Sequence, residues 1–186
     1  MSASIMSDLT TPESTTDPAL VAAYRAGDER AATELVRRHA PALGRFLYSS
    51  GAPQGEVEDL VQEALFRAFR RVDTWTGEAS FRGWLLTIGS NLLRDQFRRR
   101  RPWVMPIEDR DFPDPADPHA DLAAGEAEDR VRRGLAGLPR LQREVFLLRV
   151  QEGTPYSEIA GLLGTTAGAA RVHYHNAVKR LKELVR

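Results

Sequence analysis

The stretch from Tyr156 to Leu181, YSEIAGLLGTTAGAARVHYHNAVKRL, decides the fold. A short helical pattern ends at Gly164, a residue free to take the left-handed turn that closes a helix. A longer helix follows, and the pair has the layout of a helix-turn-helix, whose second helix enters a DNA major groove. At about 3.6 residues per turn, Ala170, Tyr174, Ala177, Leu181 and Leu184 gather on one side. Arg171, Val172, His175, Asn176 and Lys179 gather on the other. The first set is expected to pack and the second to face outward. Small residues Ala167, Gly168 and Ala169 open this helix, so that its amino-terminal amides can come close to phosphate. The plainer alternative is a surface helix with a charged outer face. His173 and His175 diverge by roughly 200° around the helix and have no carboxylate or cysteine at a usable spacing, so no metal site is expected.

Working outward, Asp129 to Gly137, Leu141 to Glu152, Tyr156 to Leu163 and Thr166 to Val185 read as four helices, with Gly153 and Gly164 between them. Upstream, Pro102, Pro106, Pro113, Pro115 and Pro118 stand among aspartates, the composition of an extended, self-repelling linker over 102–128. Residues 17–101 return to helical spacing. Asp17-Pro18 suggests an N-cap followed by proline at the first helical position, and Gly27-Asp28 closes one helix and caps the next. Leu35, Val36, Leu43, Phe46 and Leu47 suit the buried side of one helix despite Pro41. Val57, Leu60, Val61, Ala64, Leu65 and Ala68 suit another. DTWTGEAS at 73–80 breaks the pattern, and a last long helix runs from about Phe81 to Arg101. No strand pattern appears. The fold class is therefore all-α, with two small helical domains at 17–101 and 129–186 joined by the acidic linker. The Ser/Thr-rich residues 1–16 read as a disordered tail in which Met6 is an alternative start.

The chain has 186 residues and a formal net charge of zero, but the zero is a cancellation. Residues 102–129 hold one arginine and nine acids, net −8, whereas residues 130–186 hold eleven Lys or Arg and four acids, net +7. The N-terminal segment ends in Arg94, Arg98, Arg99, Arg100 and Arg101, so both ends suit a polyanion. On the helix from Phe81, the residues Trp84, Thr87, Asn91, Arg94, Asp95 and Arg98 form a flank separate from Leu85, Ile88 and Leu92. Stacking, amide hydrogen bonding and phosphate contact together are the chemistry of single-stranded nucleic-acid binding. A core Trp84 beside solvated arginines is an equally weighted reading. Zero cysteines exclude disulfides and catalytic thiols. There is no Gly-rich phosphate loop and no nucleophile with a positioned base, so no enzyme and no cofactor are expected. The absence of a membrane-length apolar run or an export signal points to the cytoplasm and to no membrane insertion.

Four segments, VEDLVQEALFRAFRRVDTW, FRGWLLTIGSNLLRDQFRRRR, LPRLQREVFLLRVQEGTPYSEIAGLLG and the helix from Gly168, resemble the extracytoplasmic-function (ECF) group of sigma-70-type factors. The resemblance covers residues 18–186 apart from the linker. It implies a transcription initiation factor that directs RNA polymerase to promoters. By the resemblance, Asp59, Leu60, Gln62, Glu63 and Phe66 dock on the coiled coil of the polymerase's largest subunit. Asp73, Thr74, Trp75, Thr76 and Ser80 belong to the loop that captures a base flipped from the −10 element. Trp84, Asn91, Asp95 and Arg98 hold the opening duplex. Tyr156, Ser157, Gly168, Arg171, Val172, His175, Asn176 and Lys179 fall in the module that reads the −35 element as duplex. Where the family commonly shows a valine followed by alternating basic residues, this chain has Ala169-Ala170-Arg171-Val172-His173-Tyr174-His175-Asn176, leaving Arg171 as the chief charge-assisted contact.

The partners implied are the polymerase core, promoter DNA in both duplex and single-stranded form, and an anti-sigma factor. The acidic linker is either a solubilising spacer or, by resemblance, a segment that threads toward the polymerase's active-site and RNA-exit channels. A free-standing helix-turn-helix regulator is the alternative function. It would have no use for the DLVQE helix or the separate aromatic stripe.

Overall fold

The computed structural model describes residues 15–100 and 126–185. Eight helices run through them, and no strand occurs among the described residues. The first four are α1 (Asp17–Arg25), α2 (Glu29–Ser49), α3 (Val57–Arg70) and α4 (Phe81–Arg100). After the interval come α5 (Glu126–Ala136), α6 (Arg140–Val150), α7 (Tyr156–Leu163) and α8 (Ala167–Val185). Most of the acidic segment expected as a linker lies outside the described residues. Its last three residues, 126–128, are helical rather than extended. Ala127 and Glu128 are strong helix formers.

The apolar spacing places the core as expected. Leu35, Leu43, Phe46 and Leu47 of α2 are buried against Ala64, Leu65 and Ala68 of α3 and Leu85 and Leu86 of α4. Each buried leucine or phenylalanine contributes on the order of 1.5–3 kcal/mol. α2 and α4 approach closely at Gly89, where a Cβ would stand 2.7 Å from Leu43 Cδ1. α2 continues through Pro41 from Glu29 to Ser49. In the C-terminal half, Leu138, Val145, Leu147, Leu148, Ile159, Ala170 and Ala177 form the buried centre, with α8 packed against α5, α6 and α7.

The caps refine the boundaries. The first helix is capped by Thr16 instead of Asp17: the threonine hydroxyl accepts from the Ala19 N–H at 3.4 Å. Asp17 is turned elsewhere, its carboxylate lying 3.5 Å from the Arg38 guanidinium and 2.9 Å from His39 Nε2. Asp28 caps α2 through the Arg30 N–H, as its position after Gly27 suggests. Gly164 closes α7 at φ +64, and the Thr166 hydroxyl accepts from the Ala169 N–H at 3.1 Å to start α8.

Candidate polymerase and promoter interfaces

On α3 the family-derived docking residues separate into two groups. Asp59, Gln62, Glu63 and Phe66 recur at helical intervals and are all exposed. Phe66 is 57% exposed, with the Arg70 guanidinium 5.6 Å from its ring centre. Glu63 is paired with Arg67 at 2.6 Å. Leu60 turns inward, 8% exposed within the core, as the apolar spacing of this helix places it.

The loop after α3 is held from both ends. Arg25 of α1 donates to the Val72 and Trp75 carbonyls and pairs with Asp73 at 3.3 Å. Trp75, expected among the DNA-contacting residues, is buried: its Nε1–H donates to the Ala79 carbonyl at 3.0 Å and its ring meets the Phe81 ring edge-on at 5.6 Å. An indole with a satisfied N–H is stable in the core. Asp73, Thr74, Thr76 and Ser80 remain exposed. Ser80 caps α4, its hydroxyl accepting from the Gly83 N–H at 3.1 Å.

Along α4 the residues of the second stripe divide by burial. Trp84 is half-buried, with its ring 5.6 Å from Phe81, and packs against the core. Asn91, Arg94 and Arg98 are exposed on the same flank, and Arg98 pairs with Asp95 at 3.4 Å. Thr87 donates to the Gly83 carbonyl at 3.0 Å.

On α8, Ala170 and Ala177 are fully buried, and Tyr174 and Leu181 pack on the core. Arg171, Val172, His175 and Lys179 are exposed, Asn176 is half-buried, and Gly168 and Ser157 lie on the surface. Tyr156, the first residue of α7, meets Tyr174 edge-on at 6.1 Å. The guanidinium carbons of Arg149 and Arg171 stand 5.0 and 5.6 Å from its ring centre.

The sequence reading missed the contacts between the two halves. Glu158 of α7 accepts from the Ser80 N–H at 2.9 Å and from the Ser80 hydroxyl at 2.5 Å. Arg82 pairs with Glu152 at 2.8 Å, and the Ser90 hydroxyl bonds to Glu144. Arg143 donates to the Ser50 carbonyl at 2.7 Å. Beside this seam lies His39, 3% exposed, with its Nδ1 accepting from Arg82 Nε at 3.5 Å. Burial holds its pKa below the ordinary histidine value; nearby Asp17 opposes that shift, and Arg82 and Arg38 add to it.

This architecture of a helix with an exposed phenylalanine, a loop-led basic helix and a helix-turn-helix has known counterparts. The Sigma-70 region 2 family matches residues 35–102, and the Sigma-70 region 4 family matches residues 128–181. The chain is 36% identical over 143 residues to the ECF RNA polymerase sigma factor SigF of Caulobacter vibrioides, covering 74% of each. The solved structure of CnrH with the cytosolic domain of CnrY superposes with TM-score 0.69 at 29% identity, over 91% of this chain and 96% of that one. The sigma factor RpoE of Bartonella quintana, solved with the anti-sigma factor NepR, gives TM-score 0.64 at 26% identity, over 82% and 95%. The chain belongs to the ECF group of the sigma-70 family and is a promoter-directing RNA polymerase sigma factor. Among the described residues no helix is long and apolar enough to cross a membrane.

Proposed function

We propose that the two halves of this factor divide promoter recognition, residues 17–101 serving polymerase docking and the −10 element and residues 129–186 serving the −35 element. Asp59, Gln62, Glu63 and Phe66 dock on the polymerase core. Asp73, Thr74, Thr76 and Ser80, shaped by buried Trp75, take a base flipped from the −10 strand. A stacked, paired base hides its Watson–Crick edge, so reading it costs a few kcal/mol of unstacking (about that for flipped bases generally). Trp84, Asn91, Asp95 and Arg98 hold the opening strands. Arg171, Val172, His175, Asn176 and Lys179 face the −35 duplex, with Tyr156, Ser157 and Gly168 at the edge of that surface. The factor works in the cytoplasm by binding instead of catalysis, and an anti-sigma factor restrains it, as NepR binds RpoE.

One observation carries this reading above a free-standing DNA-binding regulator: a 57% exposed Phe66 set among exposed Asp59, Gln62 and Glu63, on a molecule that also presents a helix-turn-helix. A repressor needs the second feature and has no use for the first. Run-off transcription with polymerase core on fragments of the source genome, beginning with the region upstream of this factor's own gene, tests it. Transcripts that require both core and factor are expected. Repression without any core-dependent transcript would favour the regulator.

A further inference from the structure

Between α3 and α4 the chain makes one tight turn at Val72–Thr74 and then runs irregularly to Ser80, passing Gly77 at φ +82. Most of its polar bonds are local. The Thr74 hydroxyl donates to the Arg71 carbonyl at 2.7 Å, and the Trp75 N–H donates to the Val72 carbonyl at 3.1 Å. Arg25 reaches the turn from α1, and it does so with a single guanidinium. Its Nη2 donates both to the Val72 carbonyl and to the Trp75 carbonyl, the second at 3.0 Å, while its Nε stands 3.3 Å from the Asp73 carboxylate. Two of the three contacts are to main-chain carbonyls, which fix the path of the backbone. The Arg25 side chain is 37% exposed and that of Asp73 88%, so the guanidinium is partly covered by the turn it grips while the carboxylate faces outward.

We propose that Arg25 is a positioning residue for base capture: from α1 it holds the Val72–Trp75 turn in its base-accepting shape before DNA arrives, without itself touching the nucleic acid. The inference rests on the reading of residues 73–80 as the −10 loop. A loop that its ligand must first order binds more weakly, by the share of time it spends in the competent shape. Arg25 removes that loss by tying the turn to a helix whose own place is set by packing against α2. The chemistry calls for arginine in particular. Its planar fork serves two carbonyls and a carboxylate together, whereas a lysine carries one nitrogen on a shorter stem. A cation that merely opposes the carboxyl end of α1 would need the charge and not the fork.

Polymerase core carrying the full-length factor is titrated, at several salt concentrations, with a single-stranded oligonucleotide of the non-template −10 strand of a promoter it transcribes and with a scrambled strand. The unsubstituted factor is expected to favour the −10 strand. Arg25→Gln and Arg25→Lys should each weaken that binding about tenfold, as when the competent share of the loop falls to about a tenth. Binding of the scrambled strand, the salt dependence and competition for core should stay as they were. Wild-type affinity in Arg25→Lys would reduce Arg25 to a local charge and overturn the inference, as would wild-type affinity in both variants. A salt slope shallower by about one in Arg25→Gln would make the residue a phosphate contact instead. An equal loss of competition for core would make it a general support of the fold, which also overturns a role in base capture. Failure of the −10 reading itself is seen separately, before any substitution, as an unsubstituted complex that does not distinguish the −10 strand from the scrambled one.

Discussion

Arg171 of α8 lies over the ring of Tyr156, its guanidinium carbon 5.6 Å from the ring centre. Tyr156 opens α7 and Arg171 stands near the start of α8, so the contact links the two helices of the motif. A guanidinium resting on an aromatic face loses part of its freedom before DNA arrives, and its planar fork stays available for a guanine edge. Arg171→Ala should therefore cost about 1–3 kcal/mol of discrimination at one base pair of the −35 element. Tyr156→Leu should lose a fraction of that discrimination while Tyr156→Phe keeps it. Titrations of duplexes with single substitutions, at one fixed salt concentration, measure both. A uniform loss across all sequences would make Arg171 a phosphate contact.

On α3, neighbouring residues should fail in different ways. Asp59→Ala with Gln62→Ala alters exposed side chains and should weaken competition for polymerase core without changing thermal unfolding. Leu60→Ala removes a buried side chain and should destabilise the fold by about 2–5 kcal/mol. Normal competition by the exposed double variant would remove this face from docking.

How much of this was legible before the structure depends on the range of the contact. Helices α3, α7 and α8 follow from apolar periodicity, and the exposed and buried sides of α8 divide as the wheel places them except at Asn176, which is half-buried, while the Leu184 side chain lies outside the described residues. Leu60 follows the apolar spacing of α3 inward, whereas Trp75 is different, because a family resemblance marks a segment and does not say which side of it faces inward. Trp75 sits in an irregular loop, where no period assigns a side. Least legible is the seam: Glu158 and Ser80 are 78 residues apart, and hydrogen bonds over that distance leave no periodic trace. One signal was present, namely that a segment of net +7 keeps only four acids and three of them cluster between 144 and 158.

The helix from Phe81 should separate opening from duplex binding. Trp84→Ala or Asn91→Ala is expected to reduce transcription strongly on a closed promoter and much less on a template already mismatched across the −10 region. Trp84 also packs on the core, so its variant should show a lower melting temperature, whereas exposed Asn91 should not. Equal losses on both templates for Asn91→Ala would count against a role in strand opening.

Acid should loosen the structure through His39. Its pKa is depressed in the fold by burial, so folding favours the neutral ring. The contribution is full above the unfolded value of about 6.5 and is lost as pH falls through that value toward the lower folded one. Asp17 from α1, Arg38 on its own helix and Arg82 from α4 face the ring, and a protonated imidazole would meet the two arginines. Glu34, held down to about 2 by Arg37 and Arg38, stays ionised throughout this window. The melting temperature should drop between roughly pH 7.5 and 5.5, and His39→Gln should flatten that slope. An identical slope in the variant would show that other groups carry it.

The central claim, that this factor brings polymerase to a promoter and opens the −10 element, is tested most directly by permanganate reactivity of −10 thymines, which are modified only when unstacked. With polymerase core, factor and a promoter it transcribes, thymines of the non-template −10 strand should become reactive, and Asn91→Ala should reduce that signal. Core alone and factor alone should leave the duplex protected. Thymines that stay protected in the complete mixture, on a fragment the factor binds, would contradict the claim.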